Sequence, residues 1–101
     1  MNDLMKQAAR MQRQIQTLQE AMKAKEFTAS ALSDKIKATV TGAKKVVRVD
    51  VDEEFWKSED RDMVLDGIAA AINLAADAAD TAIAEEMAKI TGGVKIPGLT
   101  I

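Results

Sequence analysis

The chain opens on polar residues punctuated by apolar ones at Leu4, Ala8, Met11, Ile15, Leu18 and Met22. These steps alternate four and three, which puts all six on one stripe and predicts a helix over residues 3–25 lying along another helix. Asn2 or Asp3 is placed to cap it. The positions flanking the stripe are glutamines (Gln7, Gln12, Gln14, Gln19) rather than the charges that select a coiled-coil partner, so the stripe is expected to pack within its own domain or on a dimer face.

From Phe27 the period shortens. The segment 27–32 (FTASAL) is weakly strand-like, and from Lys35 the alternation is clear, with Ile36, Ala38 and Val40 pointing one way and Lys35, Lys37, Thr39 and Thr41 the other. Thr41 to Lys44 reads as a turn in which Gly42 is available for positive φ. The return strand then sets Val47, Val49 and Val51 against Val46, Arg48, Asp50 and Asp52. Strands are therefore expected at about 27–32, 35–41 and 45–52. Glu53 to Lys57 reads as a connector, with Phe55 and Trp56 plugging the joint between sheet and helix. Ser58 is expected to cap a second helix over 59–91, with Glu59, Asp60 and Asp62 favourably placed in its first turn. The apolar face of that helix runs Leu65, Ile68, Ile72, Ala76, Ala79, Ile83, Met87 and Ile90, a spacing of about 3.6 residues. Gly92 and Gly93 stop it, and residues 92–101 form an extended tail rigidified at Pro97. The expected fold class is α+β, a single domain over 1–101: long helix, two- or three-stranded antiparallel sheet, long helix.

Composition sharpens this outline. Only Phe27, Phe55 and Trp56 are aromatic and much of the apolar content is alanine, so the core of 101 residues is thin and a second copy is expected to complete it. Cysteine is absent, as suits a reducing compartment. No signal-peptide pattern is expected, because Lys6, Arg10 and Arg13 interrupt the N-terminus. No membrane span is expected either, since the most apolar run, Ile68 to Ala76, is nine residues long and contains Asn73. The net charge of −2 conceals an asymmetry: residues 1–48 carry ten Lys and Arg against four acids, residues 49–101 four against twelve. Any attraction for nucleic acid must therefore be local.

The catalytic vocabulary is sparse. Without His or Cys the usual general base, thiol nucleophile and soft metal ligands are missing. Asp52-Glu53-Glu54 and Glu59-Asp60 lack the spacing of a calcium loop and read as caps or solvated charges. No phosphate-binding glycine loop occurs, since no helix follows Gly92-Gly93. No enzyme activity, cofactor, metal or small-molecule substrate is expected. Two binding readings remain. In the first, Lys6, Arg10 and Arg13, spaced along one helix face away from the apolar stripe and joined by Lys23 and Lys25, hold a phosphate backbone. Lys44, Lys45 and Arg48 at the hairpin offer a second patch. No aromatics are interleaved with these cations, which favours duplex over stacked single strands. In the second, two helices projecting from a hairpin grip client proteins, as in prefoldin-like chaperone subunits, although those arms are much longer.

The segments Leu4-Met5-Lys6-Gln7-Ala8 with Met11-Gln12, Lys37 to Gly42, and Val47 to Asp50 resemble the YbaB/EbfC family of bacterial nucleoid-associated proteins. So do Met63 to Asn73, Glu86 to Gly93, and Ile96 to Leu99, all collinear over nearly the whole chain. The resemblance implies a tweezer-like α+β homodimer with an intersubunit sheet. It also implies binding to double-stranded DNA in the bacterial cytoplasm and nucleoid, with nucleoid-organising or transcription-regulating roles. The family's DNA contact is attributed to the helical arms, and Lys6 is the position carried over most directly. Ile36, Val40, Val47, Val49, Val51, Leu65, Ile68 and Ile72 are the expected dimer-interface residues. Two departures stand out. Family members often begin with a Gly-rich arm, where this sequence has Met1-Asn2-Asp3. They also often lead into the second strand with glycines, where this sequence reads Ser30-Ala31-Leu32-Ser33-Asp34, a change expected to stiffen the segment. The acids Asp66, Asp77, Asp80, Glu85 and Glu86 would repel a phosphate backbone laid along their face.

Overall fold

The structure, a computed structural model, describes residues 2–92. Their order is α1 (Asn2–Ala24), β1 (Glu26–Ala31), β2 (Ile36–Thr41), β3 (Val46–Val51), α2 (Glu53–Ser58) and α3 (Arg61–Thr91). The three strands form one antiparallel sheet in the order β1-β2-β3. The architecture is the α+β arrangement expected from the sequence. The proposed extended tail falls outside the described residues apart from Gly92, which closes α3 in the left-handed conformation.

Register decides the core. Ala31, Ile36 and Val51 lie abreast on the inner face, as do Ala29, Ala38 and Val49, while Thr28-Thr39-Arg48 and Ser30-Lys37-Asp50 line the outer face. The Thr28 and Thr39 hydroxyls hydrogen-bond across the outer face at 2.8 Å. Helix α3 crosses the inner face. Its alanines Ala71, Ala75 and Ala79 are fully buried against Ile36, Ala38 and Val40, because a methyl side chain lets the helix backbone sit close to the sheet. By length and composition α3 is apolar enough to cross a membrane, which the nine-residue run had not suggested. Here those alanines are seated on the sheet instead.

The buried stripe of α3 is Val64, Gly67, Ala71, Ala75, Ala79, Ile83 and Met87. In the first half of the helix this is rotated by one residue from the expected stripe, leaving Leu65 exposed and Ile68 and Ile72 half-buried at its margin. The reason is Gly67. A Cβ there would come within 2.6 Å of both Ile36 and Leu32 side chains, so the smallest residue, not the most apolar, marks the closest approach.

The two helices leave the sheet from one end. Gly67 lies by Leu32 and Ile36, at the start of β2, whereas further along α3 Asp80 is ion-paired with Lys44 in the β2–β3 turn. The end of α1 meets that same turn, for the Lys25 carbonyl accepts the Gly42 N–H at 3.0 Å. Helix α1 then runs back along the distal part of α3, burying Ile15 and Met22, half-burying Met11 and Leu18, and exposing every described side chain from residue 3 to residue 10. The apolar stripe of α1 is thus covered only in its second half. The outcome is a rod-like chain, 67 × 20 × 18 Å.

Several local expectations are corrected. Gly42 does not use positive φ; Lys44 does, at 64°. Gly42 is required by contact, because a Cβ would lie 1.9 Å from the Met22 carbonyl oxygen. Residues 53–58 form a short helix rather than a connector, capped by Asp52, whose Oδ2 accepts the Phe55 N–H at 3.1 Å. Ser58 ends that helix, and α3 is capped instead by Asp60, whose Oδ1 accepts the Met63 N–H at 2.9 Å. Phe55 packs into the core as expected, but Trp56 is 60% exposed and plugs nothing in a single copy. Asn2 and Asp3 both lie within α1 and so are not its cap. A bulge also interrupts β3: Thr39 pairs with Arg48 but Val40 pairs with Val46, leaving Val47 as the extra residue.

Candidate nucleic-acid interface

The cations of the first half separate into two groups once their surroundings are known. Lys23 pairs with Glu20 at 3.1 Å, Arg48 with Asp50 at 3.0 Å, and Lys44 with Asp80. Asp80 Oδ1 is buried and has no other partner among the described residues, so the Lys44 ammonium ties the turn to α3. Lys25 lies over the Phe27 ring, 5.7 Å from its centroid. Lys45 is exposed at the turn and has no ion pair among the described residues, which leaves it an isolated charge. The proposed hairpin patch of Lys44, Lys45 and Arg48 is therefore largely neutralised.

Lys35 and Lys37, like Lys45, are exposed without an ion pair among the described residues, but Lys6, Arg10 and Arg13 share one face of a helix. All three are exposed on α1 and none forms an ion pair among the described residues. At 100° per residue they fall within a ~60° sector, roughly opposite the stripe that buries Ile15 and Met22. Seven residues separate Lys6 from Arg13, about 10 Å along the axis. Phosphates of one DNA strand recur every ~3.4 Å of duplex axis, so the stripe spans about three of them. Lys6 and Arg10 project from the part of α1 whose described side chains are all exposed.

The acids of α3 are distributed more favourably than their number suggests. Asp80 is neutralised by Lys44, and Glu86 pairs with Lys89 at 3.0 Å. Asp66 lies at the opposite end of the rod from the arm tip, beside Leu32 and Gly67. Asp77 and Glu85 remain exposed without ion pairs among the described residues.

The expected interface residues also divide. Ile36 and Val40 are fully enclosed under α3, so they form the core of one copy and cannot line an open face. The others lie at or near a corner that α3 leaves uncovered, because α3 packs chiefly on β1 and β2 and touches β3 only marginally. Val49 and Val51 are half-buried there, beside Phe55, Ile68 and Ile72. Exposed Leu65 and Trp56 line a hollow at the adjoining end of α3, and Val46 and Val47 are exposed along β3 itself. Sequence reasoning did not mark Trp56 as part of this surface. The short helix that turns it outward has its own signal, Asp52 three residues before Phe55.

These features define a small α+β protein with a cationic helical arm and an incomplete sheet edge. The profile of the YbaB/EbfC DNA-binding family matches residues 1–94, and the chain belongs to that family. It is similar to a nucleoid-associated protein of Alkaliphilus metalliredigens, with 40% identity over 98% of this chain and 87% of that protein. A nucleoid-associated protein of Clostridium kluyveri is 39% identical over the same shares. Among solved structures, the uncharacterized protein HP0035 from Helicobacter pylori superimposes with a TM-score of 0.70, covering 91% of this chain and 97% of that one. At 15% identity that likeness concerns the fold alone.

Proposed function

We propose that the protein is a homodimeric, nucleoid-associated protein that binds duplex DNA through phosphate contacts made by the arm of each subunit. It would act in the bacterial cytoplasm, on the nucleoid, as a DNA-organising or transcription-regulating factor. The observation that carries this reading is the stripe of Lys6, Arg10 and Arg13, whose charges have no ion partner among the described residues while the neighbouring candidates are mostly engaged. Family membership supports the same ligand.

The uncovered corner supports the dimer. Among the described residues strand β3 is an edge without a partner strand, flanked by apolar side chains, an arrangement that proteins normally cover or pair. Pairing β3 with β3 of a second copy extends the sheet to six strands and covers Val49, Val51, Leu65, Ile68, Ile72 and Trp56, with two arms projecting. Val49→Asp/Leu65→Asp is expected to halve the mass measured by sedimentation. A dimeric variant with unchanged affinity between subunits removes this corner from the interface.

Two arms with three cations each imply up to about six phosphate contacts, hence a slope of log K against log salt near −5, or a loss of ~10³ in affinity between 50 and 200 mM salt. Lys6→Glu/Arg10→Glu/Arg13→Glu is expected to abolish the shift of random duplex at low salt and leave the oligomer intact. If the variant retains wild-type affinity and salt slope, the stripe is not the DNA surface.

A further inference from the structure

The apolar stripe of α1 loses its cover partway along. Helix α3 passes Lys44 of the β2–β3 turn at Asp80 and ends at Thr91, a run of about 17 Å. Helix α1 leaves the same turn, where the Lys25 carbonyl accepts the Gly42 N–H. At an equal rise it comes level with the end of α3 near residue 14. Burial follows that length: Met22 and Ile15 are buried, Met11 is half-buried, and every described side chain from residue 3 to residue 10 is exposed. Yet the four-three spacing continues through Met11, Ala8 and Leu4, and Leu4 is 70% exposed. About ten residues of helix, ~15 Å in length, thus extend past the end of α3 with their apolar stripe uncovered among the described residues.

The chain itself supplies a cover at the place where α3 stops. Gly92 takes the left-handed conformation that turns the backbone out of the helix. Residues 93–101 follow from there, with apolar side chains at Val94, Ile96, Leu99 and Ile101. Lys95 is the only charged side chain in that segment, and the stripe is flanked by Gln7 and Gln12, so neither surface selects a charged partner. Pro97 opposes a continued helix, and extended backbone from Gly93 to Leu99 reaches up to ~23 Å, more than the bare length of the arm.

We infer that residues 93–101 run on along the arm in extended form and seat their apolar side chains on Leu4, Ala8 and Met11. Tethering at Gly92 makes this an intramolecular encounter, at an effective concentration on the order of mM for a short linker, which favours it over a second copy. The contact has a consequence for the arm. A helical end of about ten residues without tertiary packing is marginal in water, so the segment holds the tip helical. Lys6, Arg10 and Arg13 lie on the opposite face and stay open. Any benefit to DNA binding rests on the proposed role of those three cations, whereas the contact itself does not.

The chain has no cysteine, so introduced pairs report the contact. Ala8→Cys is combined with Val94→Cys, Ile96→Cys or Leu99→Cys in turn. Ala9→Cys, exposed and ~100° further round the helix, is combined with the same three as the comparison. Under mild oxidation of the full chain, at least one Ala8→Cys pair is expected to close within one chain, running at single-chain mass on a non-reducing denaturing gel with no free thiol, while the Ala9→Cys pairs stay open. Hydrogen exchange supplies a second reading. In Ile96→Asp/Leu99→Asp, amide protection over residues 7–11 is expected to fall by about tenfold or more relative to wild type, with protection in β2 unchanged. Closure between chains only, closure equal at Ala8→Cys and Ala9→Cys or absent from both, or unchanged protection over 7–11 would each overturn the inference. None of these readings involves DNA, so their failure is distinct from failure of the proposed DNA surface.

Discussion

Replacing Gly42 with alanine isolates the contact that orients the arm. Gly42 has ordinary backbone geometry, so on conformational grounds alone Gly42→Ala should stabilise the protein by ~0.4–1 kcal/mol through the unfolded chain. The structure reverses the sign. The added Cβ would lie 1.9 Å from the Met22 carbonyl oxygen and 2.7 Å from its carbon, against an ordinary contact beginning at 3.4 Å. Both atoms are backbone at the end of α1, held in place by the Lys25 N–H donating to the Met22 carbonyl at 3.2 Å and the Gly42 N–H donating to the Lys25 carbonyl at 3.0 Å. No rotamer change relieves the overlap, so α1 must move by about 1.5 Å or those hydrogen bonds must break. Overpacking of this kind costs ~1–3 kcal/mol, and losing one hydrogen bond adds about 1 kcal/mol. After subtracting the entropic gain, a net loss of about 2 kcal/mol is expected. In urea unfolding, with m of ~1–3 kcal/mol/M, the midpoint should fall by about 1 M. Because the arm is displaced, duplex affinity should fall as well, with the salt slope retained. A midpoint equal to or above wild type would show that α1 does not approach the hairpin as described.

Other outcomes follow from the same geometry. Leu32, Ser33 and Asp34 form three consecutive left-handed residues, with φ of 53°, 55° and 66° and no glycine among them. Ser33→Gly should raise stability by ~0.5–1 kcal/mol, visible as a higher Tm, because the left-handed penalty of ~1–2 kcal/mol exceeds the entropy that glycine adds to the unfolded state. Asp60→Ala removes the α3 cap and should cost ~0.5–2 kcal/mol in denaturant unfolding, whereas Ser58→Ala should cost less than about 0.5 kcal/mol; equal losses would contradict the assignment of the cap. Trp56 is the sole tryptophan and is open to solvent in one copy, so pairing of β3 edges should blue-shift its emission and dilution should reverse the shift. An emission maximum independent of concentration, while the mass changes, would place the interface elsewhere.

Much of the fold was legible because it rests on period. The four-three steps of α1, the alternation of Ile36, Ala38 and Val40, and the long apolar face of α3 each demand one kind of backbone, whatever surrounds them. Lys6, Arg10 and Arg13 could be grouped on one face for the same reason, since helical spacing alone determines which residues share a side. What period cannot convey is which candidate lies closest to a neighbour. The core stripe of α3 turned out to be centred on Gly67 and Ala71 rather than Leu65 and Ile72, because close approach to the sheet selects small residues and sets larger ones at the margin. Gly42 was visible as a turn glycine, but its need for contact rather than for positive φ depends on Met22, twenty positions away.

The chain by itself therefore determined its two long helices and three strands, their order and the cationic face of the first helix, all consequences of local periodicity. Only the tertiary structure decided which charges remain available and which apolar residues remain uncovered. Lys44 is engaged by Asp80 across the packed helix, and Ile36 and Val40 lie beneath α3 while Val49 and Trp56 do not. Those outcomes depend on where α3 crosses the sheet, and long-range packing sets that crossing point at positions where side chains are small enough to permit it.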